Sequence, residues 1–167
     1  MPPLSLSGEP ELKRLALRVV THLIALVAGF AIGVYTLPIL TAPPSPDQAM
    51  LDQSAKAAVF TAEFATGLPG NDALHWGEGT VSLTATQIVH TGRLAPGPDY
   101  RLYLVPEFVD DEDAFTPLMS ASRMVGKVET FHGFIVDLPP DVDLDRYTTV
   151  LIWCEAFGEF IAAAEYR

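Results

Sequence analysis

The chain contains one cysteine among its 167 residues, Cys154, and this scarcity excludes an internal disulfide. It has no Cys-x-x-Cys-His motif either, which excludes covalent attachment of a c-type haem. His75, His90 and His132 are isolated in the sequence and lack the spacing of metal ligands. We therefore expect a domain that is stabilised by its hydrophobic core and that holds no metal or other cofactor of its own.

Motifs for catalysis are also missing. The sequence has no Gly-x-Ser-x-Gly nucleophile elbow, and no glycine-rich phosphate loop opens a helix. Asp141 begins a segment that resembles a calcium loop, but Arg146 stands where the sharp turn needs a glycine, and Ile152 replaces the bidentate glutamate. The sequence predicts a protein that is not an enzyme.

Charged residues are absent from residues 19–40, an apolar run of 22 positions. A helix of about 20 apolar residues spans a bilayer, whereas the apolar core of a signal peptide has roughly 7–15 residues and leads to a small-residue cleavage site. The run shows no clear site of that kind, so an uncleaved membrane anchor is favoured over a signal peptide. Lys13, Arg14 and Arg18 precede it, and the next basic residue is Lys56. The positive-inside rule then places the N-terminus in the cytoplasm and the rest of this single-pass protein outside, in a bacterium in the periplasm.

Small residues recur every four positions within the apolar run, at Ala25, Gly29 and Gly33. Such a stripe lets a second transmembrane helix approach closely. Chance is the alternative explanation, because glycine and alanine are common in membrane helices. We expect this stripe to pack on other transmembrane subunits of a membrane complex, with lipid around the remaining surface.

Basic residues are scarce in the rest of the chain. Only three of the ten basic residues and two of the 21 acidic residues lie before residue 41, which leaves 7 basic and 19 acidic residues and a net charge of −12 for residues 41–167. This balance excludes nucleic acid as a partner and favours either solubility or attraction to a basic protein. Asp110, Asp111, Glu112 and Asp113 form either a solvated loop tip or a docking patch for a basic electron carrier or complex subunit.

Changes in charge, hydropathy and proline content divide the chain into four parts. We predict a cytoplasmic tail at 1–18, a transmembrane helix at 19–40, a proline-rich linker with a short helix at 41–57, and an extracytoplasmic domain at 58–167. Ser45 is predicted to cap the short helix, which runs to about Ala58. Turn signals separate eight predicted strands: Val59–Ala65, Gly79–Ala85, Thr86–Thr91, Tyr100–Val105, Arg123–Val128, Gly133–Leu138, Thr148–Phe157 and Phe160–Glu165. Seven or eight short strands at regular spacing predict a mainly β protein, an antiparallel β-sandwich behind one N-terminal transmembrane helix.

The strand that carries the cysteine is apolar on both sides. Side chains alternate between the faces of a strand. The two predicted faces are Val150, Ile152, Cys154 and Ala156 on one side, and Leu151, Trp153 and Phe157 on the other. We therefore expect a covered strand whose thiol points into a core.

Three sequence blocks occur in a specific order: Leu74–Leu83 with its His-Trp-Gly-Glu-Gly sequence, Gly97–Leu104, and the Trp153-Cys154 strand with Phe157 and Ala162-Ala163 after it. Their order and spacing resemble the DM-thirteen domain, a small β-rich extracytoplasmic module of bacteria and animals. The resemblance covers roughly residues 58–167 and implies a role in electron transfer. It also implies that Cys154 is the family's cysteine and His75 its histidine before the Gly-x-Gly turn. The long acidic insert Glu107–Pro117 departs from the family pattern.

Two functions remain open at this point. The chain is either a non-catalytic accessory subunit of a respiratory or photosynthetic electron-transfer complex, or a redox module that acts through Cys154. Glu155 and the acidic domain raise the expected pKa of the thiol, as apolar burial does, and this favours a structural thiol. The redox interpretation rests chiefly on the family resemblance, with His75 as the second candidate residue.

Overall fold

A long helix opens the described part of the chain. The computed structural model describes residues 9–167, and its first element is α1 (Glu9–Thr41), a continuous helix about 50 Å long. By length and composition Glu11–Thr41 is able to cross a membrane, a property that N-terminal signal sequences share. Residues 1–8 of the predicted tail lie outside the described residues, and residues 9–18 belong to α1. The helix continues past Pro38 for one turn, and the N–H of Ala42 donates to the Pro38 carbonyl at 2.9 Å.

The linker leads into a short second helix, α2 (Gln48–Ala55). Its N-cap is Asp47, whose carboxylate accepts a hydrogen bond from the Met50 N–H at 2.8 Å. The predicted cap at Ser45 is therefore wrong, because the chain turns into the helix two residues later. The side-chain amide of Gln48, the first residue of α2, donates a hydrogen bond to Asp52 at 2.7 Å. α2 ends three residues before the predicted end and buries Leu51 against the domain.

Eight antiparallel strands form two sheets of four, which confirms the predicted mainly β fold. The first sheet, in the order β1-β2-β3-β6, contains β1 (Phe60–Phe64), β2 (Gly77–Leu83), β3 (Gln87–Leu94) and β6 (Phe134–Asp137). The second sheet, in the order β5-β4-β7-β8, contains β5 (Arg123–Val128), β4 (Tyr100–Val105), β7 (Thr149–Cys154) and β8 (Glu159–Glu165). Each predicted strand has a counterpart, with ends that differ by up to three residues.

Strand β7 is covered on both faces, as its sequence predicts. All six of its residues are buried. Val150, Ile152 and Cys154 face the core between the two sheets. Leu151 and Trp153 face a second cluster on the outer side of the second sheet. An antiparallel sheet with one face in water carries polar side chains on that face. The buried apolar cluster on the outer side of the second sheet therefore shows that another segment lies over it.

The segment over the second sheet is the acidic insert. It folds into a one-turn helix, α3 (Glu112–Phe115), followed by a 3-10 helix at Thr116–Ala121. Phe115 is fully buried, and its ring centroid lies 4.9 Å from that of Trp153 and 5.3 Å from that of Tyr103. The insert is therefore part of the folded core.

Candidate functional site

Cys154 is the last residue of β7, where the chain leaves the second sheet. It pairs with Tyr100 of β4 and is only 2% exposed. The chain then turns back into β8, and the N–H of Gly158 donates to the Cys154 carbonyl at 2.9 Å. Gly158 has a φ of +69°, a conformation that favours glycine. Phe157 lies in this turn with 55% of its surface exposed, so its predicted place on a face of the strand is wrong.

Burial raises the pKa of the Cys154 thiol above its usual value. The backbone amides of Phe157, Asp99 and Ala156 act in the opposite direction, because an N–H stabilises a thiolate, and the Asp99 carboxylate raises the pKa further. The raising effects dominate. At neutral pH the thiol is therefore protonated, and a protonated thiol is a poor nucleophile.

We expect slow modification of Cys154 in the native protein. In phosphatidylcholine nanodiscs at pH 7.5, a charged maleimide should react with Cys154 at least about a hundredfold more slowly than with an exposed thiol, because the residue is buried and protonated. Mass spectrometry measures the rate. The matched control is Ala57→Cys in a Cys154→Ala background, since Ala57 is exposed. Equal rates for the two thiols would contradict the buried, unreactive state.

His75 is held in place by Asp72. The Asp72 carboxylate accepts hydrogen bonds from the N–H groups of Leu74 and His75 at 2.6 and 2.8 Å, and its second oxygen lies 3.1 Å from Nδ1 of the His75 ring. The Leu74 amide, together with His75, holds the pKa of Asp72 below its usual value in spite of some desolvation. The ionised carboxylate only accepts, so Nδ1 carries the proton. In the neutral ring Nε2 is then free to accept a hydrogen bond.

The two predicted redox residues line one cavity. This cavity, which we call the helix–sandwich cavity, has a volume of about 300 Å³. The domain contributes His75, Cys154 and neighbouring side chains, and α1 forms the opposite wall. The lining residues are Phe30, Ala31, Val34, Tyr35, Leu74, His75, Pro96, Gly97, Pro98, Tyr100, Cys154 and Phe157. His75 and Cys154 are thus brought together although 78 other residues separate them in the sequence.

A smaller polar cavity of about 140 Å³ adjoins the first at the end of α1. Its walls include the cations of Arg101 and Lys127 and the carboxylates of Asp99 and Glu129. Arg101 forms an ion pair with Asp99 at 3.0 Å. The last turn of α1 contains no basic residue, so these cations lie where the negative end of the helix dipole is otherwise uncompensated.

Two of the four acidic residues of the predicted docking patch have structural partners. The Asp111 carboxylate caps α3 by accepting from the Ala114 N–H at 2.7 Å. Glu112 accepts a hydrogen bond from the Phe160 N–H at 2.8 Å and so joins the insert to β8. Asp110 is half-buried and Asp113 is exposed. Docking of a basic partner on this patch stays a prediction.

The small-residue stripe lies open on α1. Ala25, Gly29 and Gly33 are exposed, and among residues 9–167 no atom outside the adjacent residues and the nearby backbone of α1 lies within 4 Å of the position that a Cβ on Gly29 or Gly33 would take. Packing of another helix on this stripe stays a prediction. The remaining domain histidines lie elsewhere: His90 is buried between Phe64 and Phe134 with its pKa lowered by burial, and His132 is exposed.

Sequence reasoning missed two parts of this site. Asp72 was not identified as the partner of His75. It directly follows Pro-Gly-Asn and stands three residues before His75, a pattern that indicates a turn in which the carboxylate accepts hydrogen bonds from the following amides. The contribution of α1 to the cavity was missed as well. Nothing local in Phe30, Ala31 or Val34 signals which face of the helix meets the domain.

Comparison with known protein families supports the resemblance. A family model described as Electron transfer DM13 matches residues 63–166. The matched range contains the three sequence blocks on which the resemblance rests, together with His75 and Cys154, so the resemblance is confirmed. Comparisons with curated proteins and with solved structures found no match.

Proposed function

Because the chain belongs to the DM13 family of electron-transfer domains, we propose that it is a non-catalytic, single-span accessory subunit of a respiratory or photosynthetic electron-transfer complex. In this proposal α1 is an uncleaved anchor in the cytoplasmic membrane and the β-sandwich lies on the periplasmic face. The observation that carries the proposal is the uncovered length of α1. Every residue from 11 to 33 is exposed, and half-buried positions begin only at Val34.

The distribution of charge supports this orientation. Lys13, Arg14 and Arg18 lie near the N-terminal end of α1, and the strongly acidic part of the chain follows the helix. Only residues 42–47 separate α1 from α2. The sandwich therefore lies close to the membrane surface, where it is able to cover the outer face of a neighbouring subunit.

The structure of the stripe supports a helical partner. Gly29 and Gly33 leave the backbone of α1 accessible on one side, and a second helix gains van der Waals contact when it approaches such a surface. Lipid chains cover any apolar helix, but they gain little from a smooth stripe. The acidic domain favours a partner whose outer surface carries basic residues.

Gly29→Leu combined with Gly33→Leu tests the proposal. We expect the double variant to lose most of its association with the complex, because two leucine side chains keep a partner helix away from the backbone. The measurement is purification from native membranes in mild detergent, followed by mass spectrometry and an absorption spectrum. Ala28→Leu, about 100° around the helix from Gly29, is the control and should co-purify normally. Co-purification of the double variant at the wild-type level would show that the stripe is not the contact.

A second candidate function is direct redox work by Cys154, and one observation favours it: Cys154 and His75 line the same cavity. Cys154→Ser separates the two functions. For an accessory subunit, the variant should assemble with the complex and leave electron transfer through it unchanged, since the thiol is a packing group. Normal assembly with loss of electron transfer would instead favour the redox module.

A further inference from the structure

The helix–sandwich cavity has the size and the walls of a small-molecule site. Its volume of about 300 Å³ is at the lower end of the range for ligand pockets, roughly 300–1,000 Å³. Phe30, Val34 and Phe157 supply apolar side chains, and the Pro96-Gly97-Pro98 turn forms part of the domain side. Such walls suit an apolar ring or chain.

The position of the cavity determines which molecules reach it. Phe30 and Ala31 belong to the apolar run of α1, and the sandwich that faces them lies on the periplasmic side in the proposed function, so the cavity opens at the outer boundary of the bilayer. The inference rests on that anchored orientation. A ligand therefore enters from the acyl-chain region and must itself be soluble in the bilayer.

His75 gives the apolar cavity a specific hydrogen-bonding group. His75 lines the cavity and its Nδ1 is engaged by Asp72, which leaves Nε2 as the ring nitrogen able to accept a hydrogen bond from a ligand hydroxyl. An acyl chain would leave this nitrogen without a partner. A phosphate headgroup is a poor match, because no cationic side chain lines the helix–sandwich cavity among the described residues. Arg101 and Lys127 line the adjoining polar cavity instead, where the carboxylates of Asp99 and Glu129 offset their charge.

We propose that the helix–sandwich cavity binds the ring of a bilayer-soluble quinol, with one ring hydroxyl donating to Nε2 of His75. Three properties lead to this class of ligand: solubility in the bilayer, an apolar ring that carries a hydroxyl, and relevance to an electron-transfer family. The hydrophobic tail of such a molecule extends from the cavity along α1 into the lipid.

Binding of decylubiquinol by the full-length protein in phosphatidylcholine nanodiscs tests the proposal. The quinol retained per disc is measured by chromatography after anaerobic gel filtration, with empty discs as the reference. We expect about one additional quinol per protein at saturation, and a binding constant about tenfold weaker for the dimethyl ether of the same probe, which has no hydroxyl to donate. Retention equal to that of empty discs, or equal affinity for the ether, overturns the proposal.

Two variants test the walls separately. Ala31→Phe fills the cavity from the helix side without altering the sandwich, and it should weaken quinol binding at least about tenfold. Ala16→Phe is the matched control, because Ala16 is exposed and lies about 22 Å along α1 from Ala31, and its binding should be unchanged. His75→Phe keeps a ring but removes the acceptor, so its affinity for the quinol should fall to that of wild type for the ether. Unchanged binding in both Ala31→Phe and His75→Phe contradicts the assigned site.

These experiments test the quinol site and the accessory-subunit function separately, so one proposal can be contradicted while the other is supported. Gly29→Leu combined with Gly33→Leu should bind quinol normally while it is lost from the complex. Ala31→Phe should remain in the complex while it loses quinol. If the wild-type protein assembles but retains no quinol above empty discs, the site is wrong and the proposed function stands.

Discussion

Replacing Phe115 by alanine is expected to lower the free energy of unfolding of the β-sandwich by about 3–5 kcal/mol. The side chain is fully buried and packs on Trp153 and Tyr103, so its removal leaves a cavity under the insert. The surrounding residues can fill that cavity only in part, because Glu112 and Asp111 fix the insert through hydrogen bonds. Urea unfolding of the full-length protein in detergent, followed by tryptophan fluorescence, measures the loss.

Phe108 provides the matched control for this variant. It lies in the same insert, but 44% of its surface is exposed. Phe108→Ala should therefore cost less than about 1 kcal/mol. If the two variants lose the same stability, the insert is only loosely attached to the second sheet, and the packing described for Phe115 is wrong.

Replacing Gly79 by alanine is expected to cost about 4 kcal/mol, from backbone strain and steric overlap together. Gly79 has a φ of +115°, which side chains other than glycine rarely tolerate. A Cβ at this position would contact the Thr91 carbonyl and lie 2.6 Å from the Gly92 Cα on the paired strand. β2 and β3 would have to separate at this point, and both neighbouring atoms belong to the backbone, which moves at high cost.

Gly67→Ala isolates the backbone strain in that effect. Gly67 also has a positive φ, +92°, but among residues 9–167 no atom beyond its two chain neighbours lies within 4 Å of the position that its Cβ would take. This variant should lose only the strain, about 1–2 kcal/mol. The difference between the two variants in urea unfolding then gives the cost of the overlap. Equal losses would mean that the two strands accommodate a methyl group at Gly79.

The sequence was sufficient for features that depend on local periodicity. Successive side chains of a strand point to opposite faces, and this alternation predicted that Ile152 and Trp153 of β7 lie on different faces. The structure places Ile152 in the core between the sheets and Trp153 in the second cluster. The end of the strand was less predictable. Ala156 and Phe157 continue the apolar pattern, but Gly158 allows a tight turn directly after Cys154.

Features that depend on long-range placement were not predictable in this way. The N-cap of α2 was predicted at Ser45 and lies at Asp47. Serine and aspartate both favour the N-cap position, and only the path of the linker decides which of the two occupies it. The presence of His75 and Cys154 in the walls of one cavity depends on the pairing of β4 with β7 and on the loop that Asp72 holds. The acidic run of the insert was predicted to be either a solvated loop tip or a docking patch, and Glu112 in addition accepts a hydrogen bond from the backbone N–H of Phe160 on β8.

The shared wall of the helix–sandwich cavity has a thermodynamic consequence. One face of α1 lines the cavity, and the stripe with Gly29 lies on another face of the same rigid helix. A partner that changed the tilt of α1 on binding the stripe would change the volume available beside His75. Linkage then requires the reverse effect of equal size: occupancy of the cavity would alter the affinity of the helix for its partner by the same factor.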